Sequence, residues 1–305
     1  MANTQPIRFK TISEFHKFRG MPKPEHPLIS VMNMELIKQL PANEAGLVKD
    51  FYSIVLKRNF NAKMKYGQQD FDFDEGVMFF MAPGQVLKIE VEKDTVLQQS
   101  GWMLLVHPDF LWNTPLAKTI KQYEYFDYSV NEALFLSDKE EAIITAIIQN
   151  IQHEYHSNID KFSQDIIIAQ LELLFNYADR FYHRQFITRK IINHDILNRL
   201  EDILTEYFNS DELAKRGLPN VQYVAGELNV SPNYLSGMLK VLTGQSTQQH
   251  IHQKLIGQAK EKLSTTNLSV SEIAYQLGFE HPQSFSKLFK LKTNTSPLEF
   301  RNTFN

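Results

Sequence analysis

Apolar residues change their period part-way along the chain. Between about 50 and 106 they come in short runs rich in aromatic and β-branched residues: "FYSIVLK", "VMFFMAP", "QVLKIEV" and "GWMLLVHP". The pairs Glu75-Gly76, Pro83-Gly84 and Ser100-Gly101 punctuate them with turn chemistry, a pattern that predicts an antiparallel sandwich or small barrel. Ahead of them, residues 1–30 read as an irregular lead-in containing four prolines.

From 138 onward the period lengthens, and 138–157 and 163–187 read as two long helices. In the second, Ile167, Leu171, Leu174, Ala178 and Phe181 recur at spacings of 4, 3, 4 and 3, an a/d seam on a helix roughly 35 Å long. Such a seam either packs on its own domain or pairs with a second copy. Residues 188–196, "TRKIINHDI", read as a linker, and everything after about 197 as helical.

The helical part repeats. Ala225, Leu228 and Val230 recur 49 residues later as Ala274, Leu277 and Phe279. After a one-residue insertion, Leu235, Ser236, Leu239 and Lys240 recur 50 later as Phe285, Ser286, Phe289 and Lys290. In each copy a small Ala lets two helices cross closely. Asn229 and Gly278 are residue types that tolerate positive φ where the chain must turn. Pro232 and Pro282 fall at helix starts, Ser231 is an N-cap, and Ser269 with Glu272 forms a capping box. The pattern is helix, tight turn, helix, twice, joined by a predicted helix near Thr247–Leu263.

On these residues the chain resembles the AraC/XylS family of transcription regulators. The likeness is dense over roughly 196–303, from "VQYVAGELNVSPNYLSGMLKVLTGQS" through "KLIGQAKEKL" and "LSVSEIAYQLGFEHPQSFSKLFK" to "TSPLEFR". It departs from the usual family pattern at Lys254, Lys262 and Asn294. The resemblance implies an α+β protein. Residues 1–187 would be a cupin-like regulatory and dimerisation domain, an antiparallel β-sandwich or barrel with two long helices. Residues 188–196 would be the linker, and 197–305 an all-α domain with two helix-turn-helix units. It also implies double-stranded DNA as partner, a small-molecule effector on the N-terminal domain, a homodimer, a contact with RNA polymerase and a role as activator.

Charge fits that division. The chain carries 32 Lys and Arg against 35 Asp and Glu, yet from Val221 to Asn305 the counts are 8 and 5. The basic excess therefore sits at the C-terminal end, although it is small. The absence of cysteine excludes disulfides, thiolate catalysis and cysteine-ligated zinc. No apolar run reaches 18 residues, and the first thirty residues have no signal-like h-region, so a soluble cytoplasmic protein without a membrane span is expected.

In a helix-turn-helix the N-terminal part of the second helix faces base edges. In the first repeat this selects Asn233, Ser236, Gly237 and Lys240, with Leu235, Met238 and Leu239 turned inward; Gly237 brings no side chain to a base. In the second it selects His281, Gln283, Ser284, Ser286, Lys287 and Lys290. Asn233 and Gln283 suit adenine and Lys287 suits guanine, whereas Ser231, Lys240, His281 and Lys290 suit phosphates.

Metal chemistry has little footing. No His-x-His precedes residue 200, and His153 and His156 stand at i, i+3 rather than the zincin i, i+4 spacing. His107 is isolated near Trp112. With no nucleophile–base set or phosphate-binding glycine loop, neither enzyme chemistry nor a cofactor is expected. The aromatic and Met residues Phe51, Phe71, Phe73, Met78, Phe79, Phe80, Met81 and Trp102 supply a sheet core, with a few of them available to line an apolar effector cavity. The rival to a regulator is an effector-binding or interaction protein whose helical half has lost specific DNA binding, a reading that Gly237 and the small basic excess leave open.

Overall fold

A computed structural model of the chain describes residues 6–36, 46–58, 76–87, 100–129, 132–157, 160, 162–188 and 190–303. It divides into two compact units, Met1–Gln185 and Phe186–Asn305. The division falls inside a helix, and residues 190–196, expected in the linker, are helical.

The first unit begins with structure where an irregular lead-in was expected. Strand β1 (Ile7–Phe9) is followed by α1 (Ile12–Phe18), which starts at Thr11 because Thr11 and Glu14 cap each other reciprocally. Three of the four prolines of this stretch, Pro22, Pro24 and Pro27, lie after that helix. The further strands are β2 (Ile29–Asn33), β3 (Leu47–Lys49), β4 (Tyr52–Arg58), β5 (Gly76–Met81), β6 (Val86–Leu87), β7 (Ser100–Val106) and β8 (Leu134–Leu136). The short helix α2 (Leu116–Thr119) lies between β7 and β8.

These strands form two sheets, ordered β1-β3-β6 and β2-β7-β4-β5-β8. The larger is antiparallel throughout. The smaller departs from the antiparallel expectation, because β1 and β3 run parallel. The chain between them crosses to the larger sheet as β2 and returns, a route no two-residue hairpin imposes. Ser100-Gly101, expected as a turn, is the start of β7. Gly101 there has φ +116°, and a Cβ would lie 2.1 Å from the Leu56 carbonyl oxygen, so only glycine passes. Gly76 likewise opens β5, whereas Pro83-Gly84 is a turn, with Gly84 at φ +85°. Phe71 and Phe73 lie outside the described residues.

Alternation along the strands gives the large sheet two buried faces. On one, Val55, Phe79, Met32, Met103 and Leu105 share a core with Phe9, Leu47 and Leu87 of the small sheet and with Ile12 and Phe15 of α1. On the other, Phe80 packs on Tyr125 at 4.4 Å and Tyr182 at 6.4 Å, and Tyr52 packs on Phe126. Trp102 is half-buried rather than part of the core.

The two long helices fall as expected, α3 at Asp138–Tyr155 and α4 at Ser163–Thr188. The seam Ile167, Leu171, Leu174, Ala178 and Phe181 is at most 5% exposed in this single chain, so its apolar stripe is satisfied inside its own unit. The opposite side of α4 is where apolar residues remain uncovered, with Ile166 and Leu173 next to the preceding Phe162. His107 caps a short 3-10 turn by accepting from Asp109 N–H, and His156 pairs with Glu25 at 2.8 Å.

The second unit is helical: α5 (Lys190–Asn209), α6 (Glu212–Arg216), α7 (Val221–Glu227), α8 (Pro232–Thr243), α9 (Thr247–Thr265), α10 (Val270–Gln276), α11 (Pro282–Thr293) and α12 (Pro297–Arg301). Leu200, Leu235, Leu239, Leu255, Ala259, Ile273, Phe285 and Phe289, none of them measurably exposed, build its core. Burying each large apolar side chain of this set contributes roughly 1.5–3 kcal/mol. No helix among the described residues is long and apolar enough to cross a membrane.

Candidate nucleic-acid interface

The repeat seen in sequence is reproduced in backbone detail. α7 turns into α8 through Asn229 at φ +57°, and α10 turns into α11 through Gly278 at φ +77°. In the first turn Asn229 N–H donates to Gly226 O and Val230 N–H to Ala225 O, both at 3.0 Å. In the second, Gly278 N–H donates to Tyr275 O and Phe279 N–H to Ala274 O, again at 3.0 Å. The second helices end alike, with Gly244 and Asn294 in the left-handed region donating their N–H groups to the carbonyls of Lys240 and Lys290. The next helix then starts at a capping box in each copy, Ser246 with Gln249 and Ser296 with Glu299. Three-helix segments about 50 residues apart thus share their turns, the ends of their second helices and the caps of their third.

One difference between the turns has a steric cause. A Cβ at 278 would sit 2.5 Å from Leu213 O and 2.9 Å from Gly217 Cα, so α6 and its end press directly on this turn. Asn is tolerated at 229, whereas 278 admits only glycine.

The second helices present the expected sides. In α8, Leu235, Met238 and Leu239 are fully buried, and in α11 Phe285 and Phe289 are. Lys240, His281, Gln283, Ser284, Lys287 and Lys290 are exposed, and Asn233, Gly237 and Ser286 half-exposed. Neither the Gln283 amide nor the Lys287 ammonium is engaged by a hydrogen bond or ion pair among the described residues. His281 is the N-cap of α11 without a side-chain capping bond.

Two of the serines named as DNA contacts also hold the unit together, Ser231 as the expected N-cap. Ser231 is 9% exposed and its hydroxyl accepts from Tyr234 N–H, so it secures the start of α8. Ser236 has its hydroxyl 3.1 Å from Thr247 Oγ1, itself completely buried, and ties α8 to the start of α9. Fifty residues on, Pro297 stands where Thr247 does and offers Ser286 no hydroxyl. Thr247 was not singled out from the sequence; its place directly after the cap Ser246 was the available signal.

Electrostatics around the helix pairs is mild. The Glu272 and Glu299 carboxyls lie below their ordinary range because the N–H groups of Ser269 and Ser296 hydrogen-bond them. His250 and His252 are lowered, chiefly by burial. Lys254, a departure from the family pattern, donates to Thr205 Oγ1 at 2.7 Å and faces Glu201, and Lys262 donates to Gln276. Both are structural.

Residues 224–303 match a family model described as a helix-turn-helix domain. The C-terminal unit carries an AraC-type helix-turn-helix domain. Among curated relatives, an uncharacterized HTH-type transcriptional regulator of Pseudoalteromonas carrageenovora is 34% identical over 116 residues, which is 38% of this chain and 64% of that protein. A protein named histidine kinase P4 of Formosa agariphila is 27% identical over 119 residues, 39% of this chain but 8% of its own length. A solved C-terminal domain of AraT, a response regulator from Geobacillus stearothermophilus, is 31% identical, covering 35% of this chain and 84% of that one at a TM-score of 0.32.

Proposed function

We propose that the protein is a sequence-specific transcription regulator. Its helix pairs α7–α8 and α10–α11 act as two helix-turn-helix units, laying α8 and α11 in successive major-groove segments roughly one helical turn apart. The carrying observation is that both second helices bury one apolar side within the repeated frame and leave a polar side outward. On α11 that side bears Gln283, Ser284, Lys287 and Lys290.

The two readers are unequal in this reading. α8 offers Asn233 to a base and Lys240 to a phosphate, because Ser231 and Ser236 are committed inside the unit and residue 237 is glycine. α11 is the principal reader, with Gln283 suited to adenine and Lys287 to guanine. The N-terminal unit, read as cupin-like, senses a small molecule. Two copies act as a dimer and so cover paired sites. The inner seam of α4 is already filled, so a second copy would meet the opposite side, at Phe162, Ile166 and Leu173, which are 43–55% exposed. Activation adds a contact with RNA polymerase.

The test is a fluorescence-anisotropy titration against duplexes from upstream of the protein's own and neighbouring genes, at two salt concentrations, with random DNA as competitor. Competitor-resistant binding that weakens with salt and falls for Gln283→Ala and Lys287→Ala is expected. Binding no better than to random DNA, unchanged by both substitutions, would sink this reading and favour an interaction protein.

A further inference from the structure

The two copies of the repeat differ in how their second helices begin. Set 50 residues apart, Pro232, Asn233, Tyr234 and Leu235 of α8 correspond to Pro282, Gln283, Ser284 and Phe285 of α11. Leu235 and Phe285 are buried alike, and Asn233 and Gln283 both reach solvent. Ser284 is exposed on the polar side of α11, whereas its counterpart Tyr234 is only 7% exposed. The third residue of α8 is thus a large side chain kept from water, where α11 offers a small polar one to DNA.

The partner of Tyr234 comes from outside the repeat. The Phe186 ring meets the Tyr234 ring edge-on, with centres 5.2 Å apart and planes at 74°. Phe186 lies in the last turn of α4 and is 2% exposed. It is the first residue of the C-terminal unit, although α4 up to Gln185 belongs to the other. Its backbone is held as well, because the buried Asn193 amide of α5 donates to the Phe186 carbonyl. That carbonyl is one of those that a helix end leaves without an intrahelical partner.

Tyr234 in turn is tied to the cap of α8. Its N–H donates to Ser231 Oγ, and Leu235 N–H donates to the Ser231 carbonyl. Contacts therefore run from the Asn193 amide through Phe186 and Tyr234 to the turn that sets where α8 begins. α11 starts differently: His281 makes no side-chain capping bond, and Ser284 brings no ring to pack on.

Resting on the reading of α8 and α11 as the DNA-contacting helices, we propose that Phe186 is a positioning residue for α8. Acting through Tyr234, it fixes the direction in which the first turn of α8 presents Asn233, and so the base preference in the segment that α8 reads. Phe186 itself touches no base. Hydrogen bonds to a base edge hold over a few tenths of an ångström, so a shift of about 1 Å in that turn removes them. The ring matters for its geometry, since an edge-to-face pair orients its partner in a way an aliphatic side chain does not. Preference in the segment read by α11 is independent of Phe186, because the start of α11 has no counterpart of this contact.

The experiment combines hydrogen exchange with binding-site selection on the full chain, using Phe186→Ala, Phe186→Leu and Tyr234→Ser. Thermal melts set a temperature at which the variants are folded. Without DNA, Phe186→Ala should speed amide exchange at 234 and 235 by about fivefold or more, and leave exchange at 284 and 285 unchanged. In selection from a randomised duplex library, Asn233→Ala marks the segment read by α8, and Gln283→Ala and Lys287→Ala mark that read by α11. Phe186→Ala and Tyr234→Ser should each lower base discrimination about fivefold or more in the α8 segment and less than about twofold in the other. Phe186→Leu should recover part of the loss, and Phe186→Ala combined with Tyr234→Ser should lose no more than either alone. If Phe186→Ala melts too low, Tyr234→Ser reads the same contact from its other side. Loss spread equally over both segments, exchange quickened equally in both copies, or unchanged discrimination in the folded variants overturns the proposal. A wild-type chain without base preference would instead remove the regulator reading, and the exchange measurement, which needs no DNA, would still decide whether Phe186 holds the start of α8.

Discussion

Gly278→Ala and Gly244→Ala make a matched pair, because both glycines are left-handed, at φ +77° and +72°, and each follows a helix of the repeated frame, Gly244 in the first copy and Gly278 in the second. An alanine at either position takes on the left-handed penalty, about 1–2 kcal/mol. At 244 nothing lies within 4 Å of the new Cβ, so that penalty is the whole effect. At 278 the Cβ meets Leu213 O at 2.5 Å and Gly217 Cα at 2.9 Å. Both are backbone atoms without a rotamer escape, and relieving such overpacking adds about 1–3 kcal/mol. Gly278→Ala should therefore lose about 2–5 kcal/mol and Gly244→Ala about 1–2. Urea titration of the full chain followed by far-UV circular dichroism reads the difference as a larger midpoint shift for Gly278→Ala. Gly278→Ala also pushes the turn between α10 and α11 off α6, so DNA affinity should fall further for it. Equal shifts for the two variants would refute the reasoning, since they would mean that α6 does not press on the turn.

Three further outcomes follow from the geometry. Ser236→Ala leaves the buried Thr247 hydroxyl without its partner and should lower stability by about 1–3 kcal/mol, with little change in base discrimination; urea midpoints and a binding-site selection check the two halves. Lys290→Ala should weaken binding about equally to all duplexes and reduce the salt slope by about one, whereas Lys287→Ala should cost about 1–3 kcal/mol at one base position, as anisotropy at several salt concentrations will tell. For Lys49 the folded value of about 7 lies below its ordinary one, so between them the unfolded chain holds the extra proton and stability rises with pH. That window runs from about 7 to about 10.4, at up to ~1.4 kcal/mol per pH unit; melting curves of wild type and Lys49→Met at pH 7 and 9 should diverge, and parallel pH dependence would count against burial of the charge.

What the sequence determined by itself was local chemistry and its repetition. The 49- and 50-residue recurrences, the residue types at Asn229, Gly278 and Ser231, and the amphipathic periods of α4, α8 and α11 are written in neighbouring residues, because caps, turns and helix faces form between positions three or four apart. Tertiary structure decided what depends on distant partners. It closed the seam of α4 inside its own unit, made β1 parallel to β3, and placed Ser100-Gly101 within a strand because the Leu56 carbonyl passes there. It tied the half-exposed Ser236 to the buried Thr247 of the next helix. It also turned Lys57 inward with Val55, although a lysine ending the run "FYSIVLK" gives no sign of burial, and met it with Lys49 and Arg19 from two other elements. Side-chain charge is visible in a sequence; whether water or another cation surrounds it is settled only when separate strands close over it.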